Sequence, residues 1–409
     1  MKQFEIPSFY HSEFIGPIKN HRKKDDPRKK DFTPTVVDFG SIEIVLARHF
    51  GFCYGVENAI EIAYKALEEN PGKRIFMLSQ MIHNPVVNQD LNDQGMNFIL
   101  DTEGNQITPW EEVTNEDLVI IPAFGTTLEI ESYLEKKGIE THRYNTTCPF
   151  VEKVWKMAGK LGQDDYTIII HGKFKHEETR ATFSHSTAES PSIVIKDIEE
   201  ARIIGDIILG KRPISDFHAH FEGRYSANFD PNVHLEKVGV INQTTMLASE
   251  THEISEYFRD VMIEKHGEEQ IKDHFADTRD TLCYATNDNQ QSTYALLDTK
   301  ADLALVVGGY NSSNTSHLAD LCATQFDTYF INGPQELISD NEIRHFEYAT
   351  KSHLITEGFL PKKDKLRVVV TSGASCPDSV VEAVIDRLLS FFPDQKSKKE
   401  VLSEVGISE

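Results

Sequence analysis

No C-x-x-C pair occurs among the five cysteines of this 409-residue chain, which removes the local chelate on which structural zinc sites are built. The thiols (Cys53, Cys148, Cys283, Cys322 and Cys376) are odd in number and widely spaced, so they do not form a disulfide framework either. Reduced thiols, metal ligands or core filler remain. No apolar run approaches the roughly 18 residues of a membrane span, and the first 36 residues lack the apolar core of a secretory signal. Cations are scarce as well: 42 Lys and Arg against 65 Asp and Glu leave a formal charge of −23. Such a surface repels nucleic acid and anionic membrane, which excludes both as the main partner. The expectation is a cytoplasmic protein of ordinary globular composition, long enough for two or three domains.

What is present is a series of β-rich apolar runs alternating with helical patterns. They are "IEIVLA" at 42, "RIFML" at 74, "LVIIPA" at 118, "YTIIIHG" at 166, "SIVIK" at 192, "VGVIN" at 238, "DLALVVGG" at 302, "TYFIN" at 328 and "LRVVVT" at 366. Near-continuous apolar strands between helices indicate α/β architecture with parallel sheets covered on both faces. Ahead of them, residues 1–40 include the charged run "KNHRKKDDPRKK", whose mixed signs suit a mobile or surface-draped arm.

Three of the cysteines open a helix. After Cys53, apolar side chains recur at Val56, Ala59, Ile60, Ala63 and Leu67, and after Cys148 at Val151, Val154, Ala158 and Leu161, both with helical period. "YATNDNQQSTYALL" after Cys283 has the form of a third helix entry. A thiol at a helix N-terminus faces the positive end of the dipole, which favours the thiolate and makes it a better nucleophile or ligand. The three lie 95 and 135 residues apart, domain-sized intervals that suggest three α/β units, each contributing one thiol. The units would span 41–147, 148–282 with an insertion near 210–234, and 283–392, followed by a tail at 393–409. Cys322 shares a helix face with Leu318 and Leu321 and reads as core packing. Cys376 follows a glycine turn, near a site without being a ligand. Spacing alone still allows three unrelated buried thiols.

The loops after the strands carry small polar groups. Ser312, Ser313 and Asn314 follow one strand, Ser375 another, Gln243 and Thr244 a third, and His176 and Glu178 a fourth. Hydroxyls, an amide and helix N-termini at the carboxyl ends of parallel strands suit a phosphorylated ligand without a Walker-type lysine. Taken singly, each is ordinary cap or turn chemistry. His218 and His220 in the insertion hint at metal but read as a surface loop.

The blocks "GFCYGVENAI", "HNPVVNQDL", "NTTCPFVEKV", "KHEETRATF", "VINQTTM", "DTLCYATNDNQ", "NSSNTSHLADL" and "TSGASCPDSVV" resemble, in order and type, the signature blocks of the 4-hydroxy-3-methylbut-2-enyl diphosphate reductase family. The resemblance implies a trefoil of three α/β units around a central [4Fe-4S] cluster, held by Cys53, Cys148 and Cys283 with one iron open to substrate. It implies reductive removal of the substrate's hydroxyl as water, giving isopentenyl and dimethylallyl diphosphates, the last step of the methylerythritol phosphate isoprenoid route. It implies His83, His176, Ser312, Ser313, Asn314 and Ser375 on the diphosphate, Glu178 as proton donor, Thr244 orienting the hydroxyl and Gln243 behind them. A ferredoxin or flavodoxin would be the electron donor. Glycines 51 and 55 would let the backbone approach the cluster. Where many bacterial members have a histidine, "IPAFGTTLE" has Phe124; this, the arm and the insertion resemble the plant and cyanobacterial branch. A hydro-lyase using an open iron without external electrons is the competing enzyme class, and an iron-sulfur sensor the non-enzymatic one, although no DNA-binding pattern is present.

Overall fold

Each of the nine apolar runs forms a strand in the computed structural model, which describes residues 4–278 and 281–407. The chain folds as two compact units. One is built from Met1–Glu57, His83–Val87 and Tyr284–Glu409, and the other from Asn58–Ile82 and Asn88–Cys283.

The first unit holds a five-stranded sheet in the order Thr35–Asp38, Ile42–Leu46, Leu366–Ser372, Leu303–Val307, Asp327–Ile331. All pairings are parallel except that of the edge strand Thr35–Asp38 with Ile42–Leu46. Leu303–Val307 is buried at every position, the burial expected of a central parallel strand covered on both faces. Ile42–Leu46, expected to open the unit at 41–147, instead pairs in parallel with Leu366–Ser372, setting Ile42 opposite Leu366 and Val45 opposite Val369. A strand apolar on both faces is stable wherever both faces are covered, so its sheet is chosen by tertiary packing. A separate antiparallel hairpin, Glu342–Glu347 with Ser352–Glu357, completes the strands of this unit.

The second unit holds two sheets. Ile75–Met77 lies between Met96–Phe98 and Leu118–Ile120, all parallel. Thr167–His171 and Val238–Asn242 form the centre of a four-stranded parallel sheet edged by Ser192–Ile195 and Phe275–Ala276. The architecture is thus α/β with mostly parallel sheets. Among the described residues, no helix is long and apolar enough to cross a membrane.

Two expectations need correction. The N-terminal arm is not draped: Ile15–Asp25 is a helix, and Phe14, Ile15 and Ile18 are buried in the core under the five-stranded sheet, because apolar side chains at helical spacing gain more from burial than the charged face loses. The insertion is not a loop. It forms the helices Ile214–Phe221 and Pro231–His234, and Phe217, Phe221 and Phe229 join the core around Ile169 and Ile193. His218 and His220 are exposed and meet the Tyr225 hydroxyl and the Asp216 carbonyl, so neither is placed as a ligand. Finally, residues 398–404 of the tail form a helix with a capping box, whose Val401 is fully buried.

Candidate functional site

The polar loops of the first unit leave the carboxyl ends of three neighbouring strands. Ile42–Leu46 leads to the Cys53 loop and the helix Tyr54–Glu69, Leu366–Ser372 to the Ser375 loop, and Leu303–Val307 to Ser312 and the helix Ser313–Ala323. Adjacency in the sheet is what brings these loops side by side. The Cys53 N–H donates to the Ala374 carbonyl at 3.3 Å, and the Ala374 N–H donates to Asn314 Oδ1 at 2.9 Å. Ser375 Oγ donates to the His83 carbonyl at 3.2 Å, so His83 joins the same cluster. Gly309 is required there, because a Cβ at that position would collide with the His83 carbonyl oxygen.

Donor capacity in this cluster is asymmetric. Ser312 caps its helix: its Oγ accepts from the Thr315 N–H at 3.3 Å and from Thr315 Oγ1 at 2.9 Å, which leaves its own proton to give. Asn314 is 4% exposed; its Oδ1 is taken by Ala374 and by Asn289 Nδ2 at 3.3 Å, while its Nδ2 is buried with no partner. A buried amide donor without an acceptor costs about 1–3 kcal/mol, so it marks a place where a hydrogen-bond acceptor would be favoured. His83, Ser312, Ser313, Asn314 and Ser375, all expected on a phosphate, are buried in this one unit.

In the second unit the loops after Thr167–His171 and Val238–Asn242 are knitted together by Gln243. Its Oε1 accepts from the Lys173 N–H at 3.1 Å and from Thr179 Oγ1 at 3.0 Å, and its Nε2 donates to Thr245 Oγ1 at 2.7 Å. Glu178 stands in the first turn of the helix Glu177–Thr187 and is 1% exposed. One carboxylate oxygen accepts the Thr244 N–H at 2.5 Å, and the Thr244 hydroxyl bonds to it as well. Burial pushes the Glu178 carboxyl up to about 7, and the two Thr244 bonds oppose that shift only in part. The Cys283 N–H in turn donates to the Thr244 carbonyl at 3.3 Å, so Glu178, Thr244 and Cys283 form one chain of contacts.

His176 caps the same helix. Its Nδ1 accepts the Glu178 N–H at 3.2 Å, so in the neutral ring the proton sits on Nε2. Phe124 packs its ring edge-on against the His176 ring, 5.5 Å between centroids at 83°. The sequence shows Phe124 where many bacterial members have a histidine but gives no sign of this packing. Sequence reasoning also missed Asn242 and Thr281, whose side chains bond each other at 2.6 Å and set the course of the chain into Cys283.

The five thiols fall into two groups. Cys322 and Cys376 are fully buried, Cys322 within the core of the first unit, as expected. Cys53, Cys148 and Cys283 are half-buried, and each immediately precedes a helix. Cys148 does not have the favoured thiolate expected of a helix N-terminus. Burial pushes its thiol up to about 11; the Phe150 and Val151 N–H groups pull it down by less, and the nearby Cys283 and Glu178 push it further up. A coordinated metal would reverse this, since it displaces a thiol proton outright. Cys53, Cys148 and Cys283 are partly open to solvent, and within the second unit Cys148 and Cys283 lie within electrostatic reach of each other; partly open thiols can ligate a metal, which the two sealed thiols cannot.

Fold and side chains together define an α/β enzyme whose strand-end loops offer hydroxyl and amide donors, a buried acid and helix-opening thiols. The chain belongs to the family described as LytB protein, whose profile matches residues 44–389. It is 40% identical to the 4-hydroxy-3-methylbut-2-enyl diphosphate reductase of Synechococcus sp. (strain WH7803), with 93% of this chain and 90% of that one covered. It is 38% identical to the protein of the same name from Prochlorococcus marinus (strain AS9601), covering 93% and 97%. The solved structure of the E-1-hydroxy-2-methyl-but-2-enyl-4-diphosphate reductase from Plasmodium falciparum superposes with a TM-score of 0.60 at 20% identity, over 90% of this chain and 99% of that one, and shares its fold.

Proposed function

We propose that the chain is a 4-hydroxy-3-methylbut-2-enyl diphosphate reductase, the last enzyme of the methylerythritol phosphate route, as its family and its named relatives support. The reaction is the two-electron, two-proton replacement of the allylic hydroxyl by hydrogen, with release of water. We infer a [4Fe-4S] cluster held by Cys53, Cys148 and Cys283, with one iron left open, and a cytoplasmic enzyme supplied by ferredoxin or flavodoxin. When bound, such a cluster supplies electrons one at a time and a Lewis-acidic iron. The functional divisions of the chain are the three α/β units, with Ile42–Leu46 contributed to the sheet of the third.

The chain's own residues have separable tasks. His83, Ser312, Ser313, Asn314 and Ser375 hold the diphosphate, with the orphaned Asn314 Nδ2 donating to a phosphate oxygen and Ser312 giving its remaining proton. Ser375 must exchange its bond to the His83 carbonyl for one to the ligand. His176 donates from Nε2 and is steadied by Phe124. Glu178 delivers the proton that lets the hydroxyl depart as water, through the Thr244 hydroxyl that orients it. The observation that carries this reading is the Glu178 carboxyl. With a pKa of about 7 it holds a proton in a sizeable fraction of molecules at neutral pH and can release it, the balance a general acid needs.

The test is anaerobic purification with iron and sulfide analysis, followed by turnover of the allylic diphosphate with a chemical reductant. About four irons per chain and reductant-dependent formation of both isomeric diphosphates are expected under this reading. Turnover without a reductant would instead identify a hydro-lyase.

A further inference from the structure

The arm differs in charge from the rest of the chain. Residues 19–31 hold seven Lys and Arg against three Asp, within a chain of formal charge −23. Such a run would by itself be a solvated face, but this one is fastened to the Cys53 loop. Phe4 packs on Tyr54 at 4.9 Å, Tyr10 on Phe52 at 5.5 Å and Phe32 on His49 at 5.7 Å. Lys19 Nζ donates to the Phe50 carbonyl at 2.7 Å and pairs with Asp378 at 2.6 Å. A groove of about 240 Å³ is lined by Lys23 and Lys29 of the arm, by Arg48, and by Phe52 and Cys53.

Some of these cations have internal work. Lys19 pairs with Asp378, Arg22 with Asp31 at 2.8 Å, and Lys29 with Asp288 at 3.8 Å. Lys23, Lys24, Arg28 and Lys30 are exposed, and among the described residues none of the four forms an ion pair. Asp25 and Asp26 lie between them in sequence, with Asp25 engaged by His21 at 3.3 Å.

We propose that this face of the arm is the docking surface for an acidic one-electron carrier protein, which delivers its electrons across the Cys53 loop. The inference rests on the reductase reading above. The reaction needs an external reductant: two reduced carriers each give up one electron, two protons are taken up, the carbon–oxygen bond breaks, the oxygen leaves as water and the carbon gains hydrogen. A small acidic protein is repelled by the acidic surface elsewhere and attracted at this patch, so the charge pattern selects both partner and orientation. Lys23 of the patch lines the same groove as Cys53, one of the proposed cluster ligands.

The test uses the full chain with its cluster, an acidic plant-type [2Fe-2S] ferredoxin, and methyl viologen as a small reductant. The variant Lys23→Glu, Lys24→Glu, Arg28→Glu, Lys30→Glu is compared with the corresponding Gln variant and wild type. Calorimetric affinity for ferredoxin at low salt is expected to fall roughly tenfold or more in the Glu variant and less in the Gln variant, with the salt dependence of binding flattened. Turnover with reduced viologen should stay at the wild-type rate. Unchanged ferredoxin affinity in both variants would overturn the docking surface, as would binding of wild type to DNA or anionic vesicles but not to ferredoxin. Absence of viologen-driven turnover in wild type would refute the reductase reading itself, so the two failures are distinguishable.

Discussion

The strand-end loops of the two units are built alike and equipped differently. In the first unit, the loops around Ser312 and Ser375 contain hydroxyls, amides and close-packed glycines, and the buried groups left unsatisfied there include a neutral donor, Asn314 Nδ2. In the second, the loop after Thr167–His171 buries a group that can exchange a proton, Glu178, with the half-buried Cys148 thiol within its electrostatic reach. Neutral donors bind an anion without changing state, whereas a buried acid shifted toward neutrality can give its proton during a reaction. The same α/β geometry therefore carries neutral donors in one unit and a buried acid shifted toward neutrality in the other, and the difference lies in what is desolvated.

The contrast breaks most sharply at the thiols. Replacing Cys148 by Ser should abolish the visible chromophore of the anaerobically purified protein, while Cys322→Ala, in the core of the first unit, should retain it. Iron analysis of both variants checks this, and full iron in Cys148→Ser would remove it from the ligand set.

Next in size is Glu178→Gln. Turnover should fall on the order of 10²-fold or more at saturating reductant, with the cluster and substrate binding retained. The same variant carries a pH signature. Because the folded carboxyl is raised from 4.5 to about 7, the folded state binds its proton more tightly than the unfolded one. Below the unfolded value both states are protonated and burial has no ionic cost. As pH rises from 4.5 through about 7 the wild type loses stability, up to about 3 kcal/mol at 1.36 kcal/mol per unit. Glu178→Gln should not show that loss, so its melting temperature relative to wild type should rise between pH 5 and pH 8. A constant difference would place the carboxyl's pKa at its ordinary value.

The binding half is sharpened by Asn314→Ala, which removes one donor to an anion. The loss should be about 1.5–3 kcal/mol, roughly tenfold to 150-fold in substrate Kd, with turnover at saturation changed far less. Equal losses in kcat and kcat/KM would instead put Asn314 in the proton chemistry. The smallest effect belongs to Phe124→Ala. Its edge-to-face contact with His176 is worth about 0.5–1.5 kcal/mol, so KM should rise only a few-fold while iron content is unchanged. A loss as large as that of Asn314→Ala would show that Phe124 does more than steady the ring.

Much of this organisation was legible along the chain. "DLALVVGG" and "YTIIIHG" are strands because continuous apolar residues suit a sheet covered on both faces, and the period after Cys53 and Cys148 gives the two helices they open. The hairpin 342–357 escaped because "EIRHFE" and "SHLITE" mix polar and apolar residues, and of the two strands only Ile343 is fully buried. The insertion escaped because Phe217, Phe221 and Phe229 become core only through contact with a sheet whose strands begin at residue 167.

The sequence by itself determined where strands end, where helices begin, and hence that thiols, hydroxyls and an acid would stand at strand-end loops, because periodicity and capping act over a few residues. Only the tertiary structure decided that Glu178 is held by Thr244, that Phe124 steadies His176, that Asn314 is left with an unmet donor and that the basic arm lies on the Cys53 loop. The physical reason is that desolvation and hydrogen-bond satisfaction depend on neighbours distant in sequence. The Cys148 thiol shows it most directly: its position at a helix N-terminus favours the thiolate, and the burial supplied by the rest of the unit outweighs that preference.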